Sequence, residues 1–418
     1  MEIKTFGCKL NHYDSLLIKK QLSSLRSKKN IVILNSCAVT AQAGKEIRKT
    51  AEKIKKSSSN NFVVITGCGA QVETELYKNS QFVDLVVGNS DRKNLKNIIE
   101  QSLLQKNTNK VIKSNIFKTK EIYSDFVSPS SDRTRAFLKI QDGCDSFCSF
   151  CIIPFARGKS KSLSTEFLKD SIQKLEDKDI KEVVLTGVHI GDYKDGETGL
   201  EGLIEYLLKT THIPRIRLTS LEPIEITDRL LDCYQNERMC PHFHISLQST
   251  NSKVLKSMKR KYSQKEVEQA FKNIAKFVPK AFVGMDIIVG FPTESKQDFE
   301  ESCHLLKNHS WTNMHVFPYS KRLGTYSAFK YEALDQKEVV RRADILRKLS
   351  EERFQEKRKK QIGTYKKVLL FKKNNKTGLS RDYWKIKTPA SDFKGEKRVF
   401  ISGLDSNTSS LKAEFCFS

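Results

Sequence analysis

The sequence predicts an α/β protein with three units: an N-terminal doubly wound α/β domain over residues 1–125, a central partial (β/α) barrel over 130–355 and a small C-terminal β-barrel over 356–418. Apolar runs alternate with helical stretches through the first two units, which predicts parallel strands joined by crossover helices. After residue 362 the pattern changes to short β-like runs separated by turns. A polar stretch at 105–135 predicts the linker between the first two units.

The first unit repeats one pattern three times. A short apolar or β-branched run stops at a cysteine in each case: E-I-K-T-F-G before Cys8, I-V-I-L-N-S before Cys37 and F-V-V-I-T-G before Cys68. The two later runs predict buried parallel strands, and residues 43–56 predict an amphipathic helix between them. Because ligands collect at the carboxyl ends of such strands, we expect the three cysteines to lie at one edge of the sheet.

The second unit contains six apolar runs that predict the strands of a partial barrel. They lie at residues 136–140, 182–186, 215–219, 243–247, 282–289 and 314–317. Chemistry is expected at the carboxyl ends of these strands. A long charged stretch at 336–361 predicts a helix.

The third unit has its clearest strand patterns at 367–371 and 398–401. Three aromatic residues lie among its basic residues. They are either the core of a small barrel or contacts to a ligand, and the sequence leaves both alternatives open: Tyr383, Trp384 and Phe400.

Composition restricts the class of protein. Hydrophobic residues make up 38% and charged residues 29% of the chain, which supports packed cores. No run of 18 apolar residues occurs and the first residues lack the pattern of a secretory signal, so we expect a cytoplasmic protein with no membrane partner. The net charge is +25, with 22 basic and 11 acidic residues in 1–125, 36 and 32 in 126–355, and 16 and 6 in 356–418. An excess concentrated at the two ends favours nucleic acid as the partner.

The ten cysteines are expected to be reduced in the cytoplasm, where spaced cysteines more often bind metal than form disulfides. The densest group is C-D-S-F-C-S-F-C, which contains Cys144, Cys148 and Cys151. Three thiolates on one loop suit an iron–sulfur cluster, whereas a structural zinc site prefers four ligands. A [4Fe–4S] cluster held by three cysteines keeps one iron free for a substrate.

The C-x3-C-x2-C motif with an aromatic residue before its last cysteine resembles the radical S-adenosylmethionine superfamily. In that superfamily the free iron binds S-adenosylmethionine, whose reductive cleavage gives a 5′-deoxyadenosyl radical. The resemblance implies that Phe150 lies near the adenine of this cofactor.

A wider resemblance is to the methylthiotransferases, and the motifs that carry it cover essentially the whole chain: G-C-K-L-N-H-Y-D-S, N-S-C-A-V-T, T-G-C-G-A-Q, C-S-F-C-I-I-P-F-A-R-G-K-S-K-S, L-T-G-V-H-I-G-D-Y, T-S-L-E-P, H-F-H-I-S-L-Q-S, G-M-D-I-I-V-G-F-P-T-E and F-P-Y-S-K-R-L-G-T. It implies a central barrel of radical S-adenosylmethionine type and a C-terminal barrel like the RNA-binding TRAM domain. It also implies that Cys8, Cys37 and Cys68 hold a second [4Fe–4S] cluster. G-C-K-x-N with I-I-P-x-A-R-G-x-S-x-S is similar to the branch that acts on N6-threonylcarbamoyladenosine in tRNA.

The resemblance assigns further roles. It implies that Gly187, Glu222 and Gln248 help to form the S-adenosylmethionine pocket, although a glycine after a strand is often only a turn. Arg157 is expected near the substrate. The basic residues of the run V-L-K-S-M-K-R-K-Y are either a solvated helix end or phosphate contacts: Lys259, Arg260 and Lys261.

The implied function is methylthio transfer to C2 of N6-threonylcarbamoyladenosine at position 37 of the tRNA anticodon loop, with a flavodoxin or ferredoxin as electron donor and a separate sulfur donor. The target adenine must leave its stack to reach a barrel mouth. Three alternatives remain: a methylthiotransferase for isopentenyladenosine in tRNA, one for a ribosomal protein, and a non-catalytic iron–sulfur protein that binds RNA.

Overall fold

The computed structural model describes residues 1–39, 41–104, 110–129, 133–372, 374–390 and 395–416. Its N-terminal part is a sheet of five parallel strands that follow one another across the sheet in chain order. The strands are β1 (Glu2–Thr5), β2 (Asn30–Ser36), β3 (Asn61–Gly67), β4 (Leu85–Val87) and β5 (Val111–Ile112). The helices are α1 (Lys9–Gln21), α2 (Ala41–Ser57), α3 (Cys68–Val72), α4 (Thr74–Lys78) and α5 (Leu95–Leu104).

Helices cover both faces of this sheet, as a doubly wound domain requires. On one face Ile18 of α1 and Ile99 of α5 pack against the sheet. On the other face Ile47 of α2 packs against Val63 and Ile65 of β3. Since both faces are buried, β2 and β3 are almost continuously apolar, and this explains why the sequence revealed them.

The central part contains the six predicted barrel strands, each within one residue of its expected ends, together with a short hairpin. Its strands are β6 (Arg135–Lys139), β7 (Gln141–Asp142), β8 (Lys161–Ser162), β9 (Glu182–Thr186), β10 (Arg215–Leu218), β11 (His242–Gln248), β12 (Phe282–Val289) and β13 (Asn313–Pro318). Its helices are α6 (Ile153–Arg157), α7 (Thr165–Glu176), α8 (Leu200–Thr210), α9 (Asp228–Cys233), α10 (Ser252–Ser257), α11 (Gln264–Phe277), α12 (Lys296–Asn308), α13 (Tyr326–Lys330) and α14 (Gln336–Lys359). Short 3-10 helices lie at Asn89–Asn94, Ile116–Lys118, Ile190–Asp192 and Pro223–Glu225.

The barrel is open on one side. Strands β6, β9 and β10 form one parallel sheet and β11, β12 and β13 another. A parallel bridge between Leu221 and Ile245 joins the two sheets. Within the described residues β6 and β13 do not pair, so the gap lies between them. Helix α1 packs against β6, which places the N-terminal sheet beside this gap.

The C-terminal part is a closed five-stranded barrel, as the sequence predicted. Its strands are β14 (Tyr365–Phe371), β15 (Asn374–Ser380), β16 (Lys385–Lys387), β17 (Glu396–Leu404) and β18 (Leu411–Phe415). Arg215 of the central barrel donates hydrogen bonds to the carbonyls of Leu379 and Ser380, and Arg217 donates to that of Arg381. The small barrel therefore closes the amino-terminal end of the central barrel.

Of the three aromatic residues left open by the sequence, Trp384 belongs to the core and Tyr383 is half-buried against it. Trp384 is 4% exposed and its ring lies 5.1 Å from that of Phe282. Tyr383 stacks on His242 with ring centroids 3.9 Å apart. Phe400 lies at the half-buried outer face instead, where its ring is 5.4 Å from the exposed ring of Tyr365.

The described residues include no helix with the length and apolar character that a bilayer crossing needs.

Replacement of Trp384 by alanine tests this packing. Because the ring fills the joint between the two barrels, Trp384→Ala should cost about 3–5 kcal/mol of unfolding free energy. Tyr365→Ala, at the exposed face of the same barrel, is the matched control and should have little effect. Urea unfolding followed by fluorescence measures both. Equal unfolding midpoints for the two variants would contradict the assignment of Trp384 to the core.

Candidate active site

The three N-terminal cysteines lie at the carboxyl ends of three neighbouring parallel strands. Cys8 follows β1 and precedes α1, Cys37 follows β2, and Cys68 begins α3 directly after β3. Because β1, β2 and β3 are adjacent and parallel, their ends meet at one edge of the sheet. Gly7 has a φ of +91°, and a Cβ there would lie 2.7 Å from the Cys37 sulfur, so only glycine permits this approach.

The second cysteine group lies on the loop bracketed by the β7–β8 hairpin. Gly143 begins this loop with a φ of +79°, and a Cβ there would lie 1.9 Å from the Lys159 carbonyl oxygen. The backbone N–H of Cys151 donates to the carbonyl of Cys148, which folds the loop tightly. Cys148 is buried, whereas Cys144 and Cys151 are half-buried.

The two cysteine groups are neighbours across the joint between the N-terminal sheet and the central barrel. Ile152, which follows Cys151 directly, packs in one apolar cluster with Ala38 and Cys68. Ala38 in turn follows Cys37. The structure thus brings together two groups that lie far apart in the sequence.

A buried ionic network joins the same two parts. Asp14 of α1 accepts from Arg92 at 3.0 Å, from Lys139 at 3.0 Å and from Arg157 at 2.9 Å. Arg157 also donates to Asp142 at 2.9 Å. Burial alone would raise the pKa of Asp14, but the three cations hold that pKa far below its usual range.

The network has more positive than negative charge, and its excess faces a cysteine. Three cations share two carboxylates, and the Arg157 Nε donates to the Cys68 sulfur at 3.1 Å. Asn89 also donates to this sulfur, at 3.7 Å. Although burial raises the pKa of the Cys68 thiol, Arg157 opposes that shift. Burial outweighs Arg157 and the pKa stays raised, but the two donors offer this sulfur hydrogen bonds suited to a thiolate, the form in which cysteine binds metal.

A comparable arginine stands beside the second group. Arg260 donates to the Cys148 sulfur at 3.1 Å and forms an ion pair with Glu222 at 2.8 Å. Its Nε donates to the hydroxyl of Tyr262. Burial raises the pKa of Cys148, and Arg260 opposes this shift. Each cysteine group thus has one buried arginine within hydrogen-bond distance of a sulfur.

The spacing of the sulfurs suits clusters better than single ions. Among the described residues, the only groups of three candidate ligands whose atoms all lie within 4.8 Å are Cys144–His189–Asp192 and His244–Asp286–His315. In neither cysteine trio do the three sulfurs approach that closely, and a tetrahedral zinc ion with bonds of about 2.3 Å needs closer sulfurs. Three cysteines at each place, rather than the four ligands that a structural zinc site prefers, fit a [4Fe–4S] cluster with one free iron.

In the Cys144–His189–Asp192 group, the His189 ring already has carboxylate partners. The Nε2 atom of His189 lies 2.5 Å from Glu225 and its Nδ1 atom 3.0 Å from Asp192. Burial opposes protonation, yet the hydrogen bonds to Asp192, Cys144 and Glu225 raise the pKa of His189 well above its ordinary value. Both ring nitrogens of His189 are therefore engaged with carboxylates.

The lumen, which is the interior of the central barrel, is polar. Alternate residues of each barrel strand face the helices and form the apolar core, for example Val183 and Leu185 of β9. The residues between them face the lumen, and charged or imidazole side chains there come from all six strands: Arg135, Lys139, Glu182, Arg215, Arg217, His242, His244, Asp286 and His315.

The lumen is layered. At its floor the Glu182 carboxylate accepts from Arg135 at 2.7 Å, Arg215 at 2.8 Å and Arg217 at 3.0 Å. In the middle layer the Asp286 carboxylate lies 3.0 Å from a nitrogen of His244 and 3.0 Å from one of His315. Burial opposes ionisation of Asp286, but the two histidines lower its pKa to about 2. The Cys144 loop and Glu222 lie at the mouth.

Other residues assigned by the sequence lie around this mouth. Gly187 follows β9, and a Cβ there would lie 2.8 Å from the Gln141 side-chain oxygen. Gln248 ends β11 with a φ of +61°, a conformation that costs free energy in residues other than glycine. Phe150 packs edge-on against Phe291 at 6.4 Å. Their contacts with S-adenosylmethionine stay predictions.

The basic residues divide into two classes. Lys259 and Lys261 are exposed, and Lys259 lies 3.7 Å above the ring of Tyr326. Arg260 and Arg157 are buried beside cysteine sulfurs instead, since 6% and 3% of their side chains are exposed. The expectation of a phosphate contact therefore does not fit Arg260, because its guanidinium is engaged inside the barrel mouth.

Sequence analysis missed the ionic network and the polar lumen. A signal was present, since A-F-L-K-I contains one charged residue and R-I-R-L-T contains two at alternate positions, all in otherwise apolar strands. The partners could not be deduced, because Asp14 lies far from Lys139 and Arg157 in the sequence.

Comparisons with known proteins agree with this geometry. Residues 138–306 match the radical SAM superfamily, and residues 1–88 match an uncharacterised protein family, UPF0004. The chain is 36% identical over 391 residues to threonylcarbamoyladenosine tRNA methylthiotransferase MtaB of Rickettsia prowazekii (strain Madrid E), which covers 92% of this chain and 90% of that protein. It is 31% identical to tRNA-2-methylthio-N(6)-dimethylallyladenosine synthase of Ehrlichia ruminantium (strain Gardel), over 89% of this chain and 87% of that protein.

A solved structure shares the fold. The radical S-adenosylmethionine methyltransferase TsrM from Kitasatospora setae, solved with cobalamin and a [4Fe-4S] cluster bound, is 13% identical and superposes with a TM-score of 0.57 over 76% of this chain and 69% of that chain. This likeness supports the arrangement of the N-terminal sheet and the central barrel.

Removal of the Arg157 charge tests the ionic network. Arg157→Met would leave Asp14 and Asp142 with fewer partners in a buried place, so we expect a loss of about 3–5 kcal/mol of unfolding free energy. Arg341→Met is the matched control, because Arg341 forms an exposed ion pair with Glu338 and should contribute little. Denaturant unfolding of the full chain measures both. If the two variants unfolded at the same midpoint, the network would not hold the joint.

Proposed function

This chain belongs to the threonylcarbamoyladenosine tRNA methylthiotransferase family, and we propose that it adds a methylthio group to C2 of N6-threonylcarbamoyladenosine at position 37 of the tRNA anticodon loop. The observation that carries the proposal is the resemblance over 92% of the chain to relatives with this named substrate. The polar lumen supports it, because a threonylcarbamoyl group is polar and charged whereas an isopentenyl group is apolar.

Membership of the radical SAM superfamily implies S-adenosylmethionine and a [4Fe–4S] cluster. We place that cluster on Cys144, Cys148 and Cys151. We place a second cluster on Cys8, Cys37 and Cys68. When bound, these groups supply the radical that removes the hydrogen at adenine C2, and they supply the sulfur that replaces that hydrogen. Acid–base side chains cannot perform this step.

The protein's own residues then have defined tasks. Arg260 places a positive charge beside the Cys148 sulfur, and Arg157 places one beside the Cys68 sulfur. These charges offset the negative charge of thiolate ligands. Glu222 orients Arg260 by its ion pair and lies within 3.4 Å of His189. The packing of Ile152 against Ala38 and Cys68 keeps the two groups on either side of one space.

Exposed basic residues suit the RNA. Lys259 and Lys261 lie at the end of α10, beside the barrel mouth, and we infer that they contact phosphates near the flipped adenosine. On the C-terminal barrel, Arg398 lies 4.5 Å above the exposed Tyr365 ring, a pair suited to a base or the backbone. A one-electron donor such as flavodoxin or ferredoxin and a sulfur donor complete the inferred partners.

The second candidate substrate is isopentenyladenosine, which the 31% identity to a dimethylallyladenosine-modifying enzyme favours. The two candidates differ in what the lumen must hold. An apolar substituent would form no hydrogen bonds with the polar groups that line the lumen, and their loss of water would cost binding free energy.

The function is tested on RNA of defined modification. The reconstituted protein, S-adenosylmethionine and dithionite are incubated with tRNA carrying either N6-threonylcarbamoyladenosine or isopentenyladenosine, and the nucleosides are identified by mass spectrometry. We expect a methylthiolated product from the first RNA. Product from the second RNA alone would contradict the proposed substrate, and absence of product from both would contradict the transfer reaction.

Division of labour between the two cysteine groups is tested with single variants. Cys144→Ala should abolish 5′-deoxyadenosine formation, because that group holds the cluster to which S-adenosylmethionine binds. Cys37→Ala should still form 5′-deoxyadenosine but give no methylthiolated product. Loss of 5′-deoxyadenosine in Cys37→Ala with its other cluster intact would show that the groups do not act separately.

The number of clusters is tested by iron content. Two [4Fe–4S] clusters correspond to about eight irons per chain, so replacement of Cys144, Cys148 and Cys151 by alanine should retain about half. Cys303→Ala, a half-buried cysteine outside both groups, is the control and should retain all of it. Complete loss of iron in the folded triple variant would contradict two independent sites.

A further inference from the structure

Helix α13 presents large apolar side chains to solvent beside the barrel mouth. Phe329 is 92% exposed, Tyr326 is 45% exposed, and Leu323 in the preceding loop is 88% exposed. Tyr326 and Phe329 are three residues apart on one helix, so they share its outer face. Single exposed apolar residues are common on protein surfaces, but three within seven residues indicate an interaction surface.

The inner face of α13 is fixed to the loop that carries the second cysteine group. The backbone N–H of Ser327 donates to the carbonyl of Ser149 at 2.7 Å, and Ser149 lies between Cys148 and Cys151. The buried hydroxyl of Ser327 lies 2.9 Å from the hydroxyl of Tyr319. The outer face of α13 therefore has a fixed position relative to this loop.

The end of α10 is held by the same loop residue. The Ser149 N–H donates to the carbonyl of Met258 at 2.9 Å, and the Ser149 hydroxyl donates to that of Ser257 at 2.8 Å. Lys259 follows with a φ of +59°, and its ammonium lies 3.7 Å from the centre of the Tyr326 ring, where the π electrons attract it. Because α10 and α13 follow the carboxyl ends of barrel strands, they form one surface at the mouth.

The charge of this surface is strongly positive. Residues 252–262 and 319–332, which form it, contain eight basic residues and one acidic residue. Three of the eight form ion pairs: Lys253, Arg260 and Arg322. The other five are exposed and have no ion pair within the part of the chain that the structure describes: Lys256, Lys259, Lys261, Lys321 and Lys330. This excess favours a polyanion as the ligand.

Phe329 is the ring that is free to stack on a ligand. Lys259 covers one face of the Tyr326 ring, and the Tyr331 ring lies edge-on to it at 6.2 Å. Phe329 has no ring contact among the residues that the structure describes. Free aromatic rings among unpaired lysines are the features with which proteins bind single-stranded nucleic acid, since rings stack on bases and lysines contact phosphates.

The proposed substrate offers such a strand beside the mouth. The anticodon loop is unpaired, and its target adenosine must leave the stack to react. The base next to that adenosine then loses a stacking partner and exposes an apolar face to water. An aromatic ring just outside the mouth replaces the lost partner.

We propose that the outer face of α13 binds an unpaired base of the anticodon loop next to the target adenosine, with the Phe329 ring stacked on that base and the ammonium groups of Lys259 and Lys330 on the flanking phosphates. This proposal rests on the proposed function. The surface accepts any base, because every base has a π face. An acidic surface of the electron-donor protein is the competing occupant, and the experiment separates it from the RNA.

The experiment compares three anticodon stem-loop RNAs that carry N6-threonylcarbamoyladenosine. One is intact, one lacks the base on the 5′ side of the modified nucleoside, and one lacks the base on its 3′ side. An abasic nucleotide keeps the phosphate charge and removes only the ring. Fluorescence anisotropy gives the affinity of the reconstituted full chain for each RNA. The unchanged protein should bind one of the two abasic RNAs about 5- to 100-fold more weakly than the intact RNA, the usual effect of one lost base–aromatic stack.

The variants assign that loss to Phe329. Phe329→Ala should bind the intact RNA as weakly as the abasic one and should not distinguish them, whereas Phe329→Trp should keep the preference. Because Phe329 is almost fully exposed, its replacement should leave folding unchanged. Phe277→Ala is the matched control and should keep the full preference. The Lys276 ammonium lies 5.0 Å from the Phe277 ring, but this pair ends α11 at the opposite, amino-terminal end of the barrel.

Three results would overturn the proposal. The unchanged protein could bind all three RNAs equally, or Phe329→Ala could still prefer the intact RNA by the full factor. Phe329→Ala could also bind RNA normally but form 5′-deoxyadenosine slowly with reduced flavodoxin and at the normal rate with dithionite, which would assign the surface to the electron donor. Failure of the unchanged protein to methylthiolate the intact RNA would instead overturn the proposed function.

Discussion

The contact on which the rest of the structure depends is the buried carboxylate of Asp14 with its three cations. Arg92 comes from the N-terminal sheet, Lys139 from the first barrel strand and Arg157 from the helix after the cysteine loop. Charges removed from water are stable only when all are paired in good geometry. The network therefore fixes one relative position of the two parts, and with it the position of Cys68 against Ile152.

That fixed position holds the two cysteine groups beside one another, as the proposed reaction on one adenine requires. One group follows strands of the N-terminal sheet and the other a strand of the central barrel, so neither part alone contains both. Arg157 donates to the Cys68 sulfur and Arg260 donates to the Cys148 sulfur, so each group has a positive charge beside one of its cysteines. The polar lumen lies below both, and the C-terminal barrel closes its floor through Arg215 and Arg217.

Much of the fold could be predicted because it has local signals. The barrel strands follow from their apolar runs, and the cysteine groups from spacing and from their place at strand ends. The roles of Arg157 and Arg260 could not be predicted, because their partners Cys68 and Glu222 are distant in the sequence. An arginine after a cysteine motif has the same local appearance whether it faces RNA or a buried sulfur.

The aromatic residues of the C-terminal barrel show the same limit. Local sequence left the place of Tyr383 and Trp384 open because it contains no information about the neighbouring barrel. The stacking of Tyr383 on His242 and the packing of Trp384 on Phe282 decide it.

In the proposed enzyme two clusters face one another across one space. The most direct measurement is electron paramagnetic resonance of the reduced, reconstituted protein, compared with the two variants that each lack one cysteine group. The spectrum of the intact protein should be broadened by spin–spin interaction beyond the sum of the two variant spectra. A spectrum equal to that sum would contradict the claim, because it would place the two clusters too far apart to act on one adenine.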